Sequence, residues 1–598
     1  MGREVRPTTI TREERRMHKH LAGFVFFIGV FLTIGLVPAP GRAVEFIAAP
    51  PLADVVKDAV GDVRAGTGVT MVPLITWGGD IATIHANGNG LKTAKGSLFD
   101  KEGLQLQLSR MDDFKQQVQA YLKGDTPYLR GTLGMIAMAS ELLGRDPRTK
   151  PVIVYQHTWS NGGDCLVVKA GLAAAADLKG KTIALQAYGP HVDYLATLLK
   201  DGGLKMSDVK IKWVKDLTGT ANSPAEAFSD NTVDNTVDAA MMIIPDGLML
   251  TSGGTLGTGS EGSVKGAKIM LSTKSANRVI ADVYAVRSDY FGANRETVKK
   301  FVHGLLLGEQ AIRPLFKNRQ AQLADYQPMI KAAATILLDS ESATGDAEAL
   351  YGDCEYAGFR GNVKFFTDQN WPRNFARLSE EIQSAFMVAG LLSRKTVLDH
   401  ATWQYAELSG GLQGIDTADI PRFNVEAVTK VVAQKQAMGT LGEGELFSFE
   451  VFFQPNQNFF AADMYADAFK KVVELASTYG GAVITVEGHS DPLGYLHKQK
   501  ENAGELVLRR IQQAAKNLSL TRSIAVRDSI VGYAQTNGVN LDESQFTVIG
   551  HGIAQPKTGM CGTVPCPPKT KEDWLSNMRV VFRIIQIEAE ESAFRPLN

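Results

Sequence analysis

Residues 176–184 read ADLKGKTIA, and this stretch decides how the middle of the chain folds. Its polar Asp-Leu-Lys-Gly turn leads into KTIALQ at 181–186, a short apolar run of the kind that forms buried strands. Similar runs alternate with amphipathic helical patterns and lie at residues 69–76, 104–108, 151–155 and 164–169. Strands that alternate with helices predict an α/β fold with mostly parallel sheets covered on both faces.

Length and charge limit the class of protein. At 598 residues the chain is too long for one core and should divide into several compact units. Lys and Arg number 63 against 64 Asp and Glu, for a formal charge of -1. A balanced charge argues against a nucleic-acid-binding surface. We also expect no cofactor and no resident metal.

The N-terminus has the pattern of an export signal. Residues 21–37 carry no charge and follow a basic segment that contains Arg3, Arg6, Arg12, Arg15, Arg16 and Lys19. The small residues GRA at 41–43 would suit cleavage, whereas an apolar run close to the roughly 20 residues that span a bilayer would suit an inner-membrane anchor. We favour the anchor for residues 1–43. Everything beyond would lie in the periplasm of a Gram-negative-type envelope, beginning with a linker at 44–67.

The cysteines divide into two kinds. Cys561 and Cys566 lie in the tight loop MCGTVPCPP, where a local disulfide is expected in an exported protein. A zinc site there would need two further ligands, and none is evident nearby. Cys165 and Cys354 are expected to be small buried residues, and a long-range bridge between them stays open.

Several segments resemble the exported solute-binding proteins of the nitrate/sulfonate/taurine ABC-transporter type. They are GDCLVVK at 163–169, ADLKGKTIA at 176–184, VDAA at 237–240 and VYAVRSDY at 283–290. The resemblance implies a bilobed type II periplasmic-binding-protein fold over residues 68–405. Lobe 1 would comprise residues 68–160 and 279–405, and lobe 2 residues 161–278. A small solute would bind in the cleft between the lobes.

Ligands of such folds bind at loops that follow the carboxyl ends of strands. The candidate contacts in these loops are Trp77, Gly78, Gly79, Asp80, Thr132, Ser160, Asn161, Tyr188, Gly189, His191 and Asp246. Helix N-termini in the same loops suit an anion, while Asp80 and Asp246 would repel one, so the charge of the solute stays open. The histidines His85, His157 and His191 form no readable nucleophile–base set, and we predict no enzyme activity.

The last quarter of the chain contains a second set of motifs. These are VITVEGHSD at 483–491, LSLTR at 518–522, GHG at 550–552 and NMRV at 577–580. In this order they resemble the OmpA-like peptidoglycan-binding domain. The resemblance implies an α+β domain of βαβαβ order over residues 445–588, with a linker at 406–444 and a tail at 589–598.

The same resemblance implies a site for the diaminopimelate residue of the peptidoglycan stem peptide. Asp491 and Arg522 would hold the ligand, supported by Gly488, His489, Asn577 and Arg579. A carboxylate and a bidentate guanidinium match the ammonium and carboxylate of a zwitterionic amino acid. Two features depart from the family pattern: the interval between Asp491 and Arg522 is longer by a helix, and Met578 replaces the first Arg of the last motif.

Together these patterns favour a cell-envelope solute-binding protein tethered to peptidoglycan, which captures a small solute for an ABC-type transporter or for sensing. Its partners would be peptidoglycan, the solute and an inner-membrane transporter or complex. The alternative is a structural anchor between inner membrane and peptidoglycan, like flagellar-type stator subunits. Proton-driven stators need an ionisable group in the membrane span, and residues 21–37 have none.

Overall fold

Strands and helices alternate along the first two thirds of the chain, which confirms the predicted α/β class. The computed structural model describes residues 44–64, 68–230, 237–260, 262–415, 422–442, 444–561 and 564–586. The strands up to residue 415 are β1 (Thr70–Leu74), β2 (Leu106–Arg110), β3 (Tyr128–Thr132), β4 (Pro151–Ser160), β5 (Asp164–Val168), β6 (Thr182–Gln186), β7 (Lys210–Val214), β8 (Ala239–Ile243), β9 (Lys268–Ser272), β10 (Ala281–Arg287), β11 (Cys354–Tyr356) and β12 (Asp399–His400). The prediction of mostly parallel sheets is wrong, because β10 pairs antiparallel with β3 and β4, and β5 pairs antiparallel with β8 and β9.

The helices of the same region cover these sheets. They are α1 (Leu52–Val55), α2 (Asp80–Ala86), α3 (Leu98–Lys101), α4 (Phe114–Lys123), α5 (Leu133–Leu143), α6 (Val192–Asp201), α7 (Pro224–Ser229), α8 (Ile244–Leu250), α9 (Ser288–Ala293), α10 (Arg295–Lys317), α11 (Leu323–Leu338), α12 (Thr344–Gly352), α13 (Gly358–Thr367), α14 (Phe375–Val388) and α15 (Tyr405–Leu408).

Lobe 2 is built on one sheet of order β7-β6-β8-β5-β9. Strand β6, which comes from the ADLKGKTIA stretch, runs parallel to both of its neighbours, β7 and β8. Its alternate side chains enter two different cores: Ile183 and Leu185 pack in one and Ala184 in the other, and all three are fully buried. This stretch therefore supplies an interior strand of lobe 2.

Lobe 1 has a sheet of order β11-β4-β10-β3, on which β12 also pairs with β4, and a parallel pair β1-β2. All residues of β4 are buried. Helix α10 contributes Phe301 and Leu305 to the core beside these strands. The chain leaves lobe 1 at the end of β4, forms lobe 2, and returns between β9 and β10. Two crossings between two sheets make the bilobed, periplasmic-binding-protein-like fold.

The segment predicted as the first linker lies against lobe 2 and lobe 1. Ile47 forms a β-bridge with Trp213 of β7. Leu52 of α1 is fully buried, in the same core as residues of α5 such as Ile136. Burial of these apolar side chains holds residues 44–64 on the bilobed part.

The C-terminal part forms a further sheet of order β13-β18-β14-β15. Its strands are β13 (Glu445–Phe452), β14 (Val483–His489), β15 (Phe546–Gly552) and β18 (Arg579–Ile585), with a small hairpin of β16 (Met560–Cys561) and β17 (Val564–Pro565). Its helices are α16 (Val425–Met438), α17 (Ala466–Thr478), α18 (Leu493–Lys500), α19 (Glu505–Thr536) and α20 (Lys571–Ser576). Helix α16, from the region predicted as the second linker, buries Val428 and Val432 against Val483 and Ile585 of this sheet.

The cysteines adopt both arrangements considered above. Cys561 and Cys566 form a disulfide, while Cys165 and Cys354 are buried thiols. Within the part of the chain that the structure describes, no helix is both long and apolar enough to cross a membrane. The predicted anchor at residues 21–37 lies outside the described residues.

The C-terminal sheet docks on the second crossing between the lobes. The backbone N–H of Gly481 donates to the Ser275 carbonyl at 3.1 Å, and that of Arg278 donates to the Thr478 carbonyl at 3.2 Å. A Cβ on Gly481 would lie 1.8 Å from the Lys274 carbonyl oxygen. Glycine is therefore required at this position by close backbone approach.

Buried charges support the same contact. The Glu355 carboxylate of β11 bonds the guanidinium of Arg278 and that of Arg422, the latter at 2.8 Å. Although burial opposes it, the two arginines lower the pKa of Glu355 to about 2. Gln586 adds a hydrogen bond of 3.0 Å from its side chain to the Met270 carbonyl of β9.

We expect Gly481→Ala to destabilise the protein, because the added methyl group forces apart two backbones that are in contact. Overpacking of this kind costs about 1–3 kcal/mol, which thermal or urea denaturation would measure. Gly494→Ala is the matched control, because a Cβ at Gly494 meets no atom within 4 Å. Equal stability of the two variants would contradict the docking contact.

Candidate functional site

The wall of the cleft in lobe 1 rests on a buried charge network. Arg130 of β3 lies between two carboxylates, with Nη2 3.0 Å from Oδ2 of Asp80 and Nη1 2.9 Å from Oδ1 of Asp282. Tyr284 donates to the other oxygen of Asp80 at 3.2 Å. Burial raises the pKa of Asp80 to about 6, against the opposing effect of Arg130. Asp80 therefore positions the wall from behind and does not face a solute.

A short hydrogen-bond chain links this network to Trp77. Thr158 of β4 donates to Asp282 at 2.9 Å, and the Trp77 indole N–H donates to the Thr158 hydroxyl at 2.9 Å. The far edge of the indole lies against Gly163, where a Cβ would stand 2.7 Å from the ring. Trp77 of lobe 1 thus touches the start of lobe 2.

Asp164 is the central group at the first crossing. Its Oδ2 accepts from the Ser160 hydroxyl at 2.6 Å, and its Oδ1 lies 2.7 Å from Nε2 of His191. Thr273, just after β9, accepts from the backbone N–H of Asp164 and contacts Ser160 at 2.8 Å. All four side chains are buried. This carboxylate therefore ties the end of β4 to helix α6 and to both crossings.

The order of these groups does not match a hydrolytic triad. In a serine hydrolase, histidine stands between the nucleophile and the carboxylate so that it can accept the serine proton. Here Asp164 stands between Ser160 and His191. In this order the histidine does not contact the Ser160 hydroxyl, so the serine–histidine–carboxylate relay of a hydrolase is not formed.

Asp193, in the first turn of α6, makes a contact between the lobes. A Cβ on Gly134, at the start of α5 in lobe 1, would lie 2.8 Å from Cγ of Asp193. The side chain is 2% exposed, and its Oδ2 has no hydrogen bond with any residue that the structure describes. Burial raises the pKa of Asp193 to about 7. A carboxylate of lobe 2 thus occupies the N-terminal end of a lobe 1 helix, where anions commonly bind.

The cleft is rich in carboxylates. Asp353 lies beside Gly162, where a Cβ would be 3.5 Å from its Oδ1. Burial, and then the charge of Asp164, raise the pKa of Asp353 to about 7. Burial is also the main cause that raises the pKa of Asp282, and the Asp164 charge adds to it. Asp164, Asp193, Asp282 and Asp353 therefore form an acidic cluster around the crossings.

Only some of the predicted contacts meet at this cluster. Ser160 and His191 join through Asp164, and Trp77 joins through Thr158. Asn161 receives a weak hydrogen bond of 3.5 Å from Asn277 and bonds the Asp353 backbone at 2.8 Å. Thr132 caps α5 by accepting from the Met135 N–H at 3.0 Å.

The remaining predicted contacts have other surroundings. Tyr188 donates to the Pro50 carbonyl at 2.7 Å. Gly189 packs on Gln186, Gly78 on the Leu350 carbonyl and Gly79 on Thr158. Asp246 is half-buried. Burial raises its pKa, and His191 is among the charges that oppose this.

Sequence reasoning missed Asp164, Asp193, Thr273, Asp282 and Asp353. Asp164 and Asp193 carry a usable signal, because each stands in an apolar run, DCLVV and HVDYL, where a charge has no other explanation. The other three sit at crossings or in a return segment, and only the fold brings them together.

In the C-terminal part, Asp491 is held from two sides. Its Oδ1 accepts from the Leu493 N–H at 2.8 Å and its Oδ2 from the Asn577 side chain at 3.0 Å. Asn577 is itself fixed by the backbone N–H of Lys557 at 2.7 Å. Burial raises the pKa of Asp491. The loop after β14 and Asn577 therefore fix the orientation of this half-buried carboxylate.

Arg522 lies beneath the surface of the same part. It is fully buried, donates to the carbonyls of Gln457 at 2.8 Å and Gln454 at 3.1 Å, and lies over the Phe453 ring. Its Nη1 has no hydrogen bond with any described residue. Burial lowers the pKa of Arg522 to about 10.

The supporting residues have structural contacts. Gly488 lets α19 approach, since a Cβ there would lie 2.0 Å from the Ser519 carbonyl. Arg579 pairs with Glu450 at 3.1 Å. His489 stacks on His551 with ring centroids 4.8 Å apart.

Comparison with known proteins places a family match on the bilobed part. A family model described as NMT1/THI5 like matches residues 93–313, which include all of lobe 2. The match covers less than half of the chain, and it is a similarity of these residues to that family. A search of curated proteins gave no match.

Solved structures with a similar arrangement are distant. The periplasmic aliphatic sulphonate binding protein SsuA from Escherichia coli shares 15% identity over 55% of this chain and 90% of its own, with a TM-score of 0.38. The periplasmic nitrate-binding protein NrtA from Synechocystis shares 12% over 59% and 90%, with a TM-score of 0.36. The desulfurization enzyme DSZB shares 17% over 55% and 94%, with a TM-score of 0.35.

We expect Asp193→Asn to change the pH dependence of stability. The folded-state pKa of about 7 stands above the ordinary 3.8, so the folded protein holds a proton that the unfolded chain releases between these values. The stabilisation by this proton is complete below pH 4 and is lost as pH rises through 7. At neutral pH the difference amounts to at most about 4 kcal/mol.

Thermal denaturation at pH 5 and pH 8 tests this expectation. Relative to the wild type, Asp193→Asn should gain stability at pH 8 compared with pH 5. The exposed Asp325 provides the control variant Asp325→Asn, which should follow the wild type. Parallel pH profiles for Asp193→Asn and the wild type would contradict the assignment.

Proposed function

We propose that this protein is a cell-envelope solute-binding protein that works with an ABC-type importer, and that it captures a small polar solute between its lobes. The observation that carries the proposal is the meeting of both lobes at the Asp164 cluster. Side chains from β4, α6 and the second crossing converge on one carboxylate. Hinged lobes with polar groups at the hinge suit capture by closure.

The charges of the cleft favour a solute with hydrogen-bond donors or a positive charge. Asp164, Asp193 and Asp353 lie together, and Arg130 is already bonded to Asp80 and Asp282. A donor-bearing solute would be stabilised by these carboxylates, whereas an anion would compete with Asp193 for the start of α5. Sulphonate and nitrate binding, named for SsuA and NrtA, is the alternative for this chain.

A transport or sensing role is preferred to catalysis. The Ser160–Asp164–His191 order supplies no activated nucleophile, although one similar structure is described as an enzyme. A periplasmic location fits the export pattern at the N-terminus, and the proposed partner is an inner-membrane transporter.

A thermal-shift screen of the full chain would test solute capture. Amines and aminopyrimidines form one arm, and nitrate and sulfonates form the other. A solute at 100 times its Kd should stabilise the protein by about 2.7 kcal/mol. We expect the hits in the donor-bearing arm, weakened by Asp353→Asn and unchanged by Asp325→Asn. Hits confined to the anion arm would reverse the charge assignment, and no hit in either arm would contradict solute capture.

We further propose that the C-terminal part, residues 445–588, resembles the OmpA-like domain in function and binds peptidoglycan. The strands of its sheet follow the expected order along the chain, and Asp491 is presented at the end of β14 beside Asn577. Nη1 of Arg522 has no hydrogen bond with a described residue, but Arg522 is fully buried, so Asp491 carries this proposal. The stator-like anchor would use the same contact without the solute.

Co-sedimentation with isolated peptidoglycan tests the tether. Asp491→Asn removes the charge that would face the diaminopimelate ammonium and should weaken binding about tenfold or more. Asp528→Asn, an exposed change on α19, should bind like the wild type. Retained binding by Asp491→Asn, with an unchanged melting temperature, would mean that the site lies elsewhere.

A further inference from the structure

Two histidines and a glutamate meet between β14 and β15. Ligand atoms of Glu487, His489 and His551 all lie within 4.8 Å of one another. Glu487 and His489 belong to β14, and His551 belongs to the neighbouring parallel strand β15. The cluster therefore rests on paired strands, which hold it more firmly than a loop would.

Nε2 of His551 lies near both an acceptor and a donor, and no single protonation state of this nitrogen suits both. Its Nε2 lies 3.3 Å from Oε2 of Glu487 and 3.4 Å from Nε2 of Gln436. A protonated Nε2 would suit the carboxylate, and an unprotonated one would suit the amide donor. Both contacts are long for hydrogen bonds. A metal cation at this point would be coordinated by the lone pair of the imidazole nitrogen and by the carboxylate oxygen.

The His489 ring is buried next to that of His551. The side chain is 2% exposed, neither ring nitrogen makes a hydrogen bond of standard geometry with a described residue, and the backbone of Gln555 lies beside the ring. The ring lies almost parallel to that of His551, at an angle of 18°.

The surroundings orient the ligands and allow access. Arg583 donates to Oε1 of Glu487 at 3.1 Å and Thr485 donates to the same oxygen at 2.8 Å, which leaves Oε2 turned toward His551. Such outer contacts are common around metal ligands. His551 and Gln436 also line a cavity of about 920 Å³, through which an ion and a water ligand could enter.

We propose that Glu487, His489 and His551 bind one divalent transition-metal ion, with Zn²⁺ the best match. Two imidazoles and one carboxylate are a common zinc ligand set, in which water takes the fourth position. Ca²⁺ and Mg²⁺ prefer sets made of oxygen atoms. His489 stands two residues before Asp491, so the proposed metal site adjoins the predicted peptidoglycan site and lies in a different part of the chain from the cleft.

Isothermal titration of the purified full chain with Zn²⁺ tests the proposal, with Co²⁺ as a spectroscopic probe. We expect stoichiometric Zn²⁺ binding and visible Co²⁺ bands of a four- or five-coordinate site with nitrogen ligands. His551→Gln should lower the affinity about 100-fold or more, beyond the 10–100-fold loss typical of outer contacts. Excess Ca²⁺ or Mg²⁺ should not displace the ion.

His497→Gln is the matched control, because His497 is an exposed histidine of the same part of the chain, and it should bind Zn²⁺ like the wild type. The melting temperature without metal separates lost ligands from misfolding. Because His489 is buried, Glu487→Gln serves as the second variant. The proposal fails if the wild type binds no Zn²⁺, if a folded His551→Gln or Glu487→Gln variant keeps its affinity, or if Ca²⁺ competes.

Discussion

The bilobed part depends on the Asp164 carboxylate at the point where the chain first leaves lobe 1. One oxygen is held by Ser160 at the end of β4 and the other by His191 before α6. Removing such a buried charge leaves His191 without this partner and Ser160 with only the Thr273 hydroxyl, and an unsatisfied polar group costs about 1–3 kcal/mol. The same carboxylate fixes the geometry of the crossing and sets the electrostatic character of the cleft.

The cleft is acidic because it contains more aspartates than arginines. Arg130 is shared by two aspartates within lobe 1, so it offers little positive charge to the cleft. Asp193 and Asp353 have raised pKa values because the folded chain places them away from water. A positively charged solute would favour their ionised forms and would therefore release protons on binding. Under the proposed function, solute affinity would therefore depend on pH through these groups.

Much of the architecture could be predicted from the sequence, because periodicity and turns are local signals. The strand predicted at 181–186 is β6 (Thr182–Gln186), and the run at 69–76 contains β1 (Thr70–Leu74). The interval between Asp491 and Arg522, which was predicted to be longer by a helix, contains α18 (Leu493–Lys500) and the first half of α19 (Glu505–Thr536).

Site residues were harder to predict, because their roles depend on contacts between distant segments. Tyr188 was predicted at the cleft, but its hydroxyl bonds Pro50 because residues 44–64 fold back on the lobes. Arg522 was predicted to contact a ligand, but it is buried, and carbonyls of the loop after β13 accept from its Nε and Nη2 atoms. Asp193 could not be assigned before α5 and α6 were placed together. Local sequence patterns do not predict contacts between residues that are distant in the chain.

The contacts that Gly481 and its neighbours make with both lobes limit how the lobes can move. The C-terminal part bonds lobe 2 through Met270, the second crossing through Ser275 and lobe 1 through Glu355. A rotation of one lobe against the other must therefore break some of these bonds or move the C-terminal sheet. A force that pulls on the C-terminal sheet would therefore act as a torque on the two crossings between the lobes. Conversely, closure of the lobes around a solute would displace the C-terminal sheet.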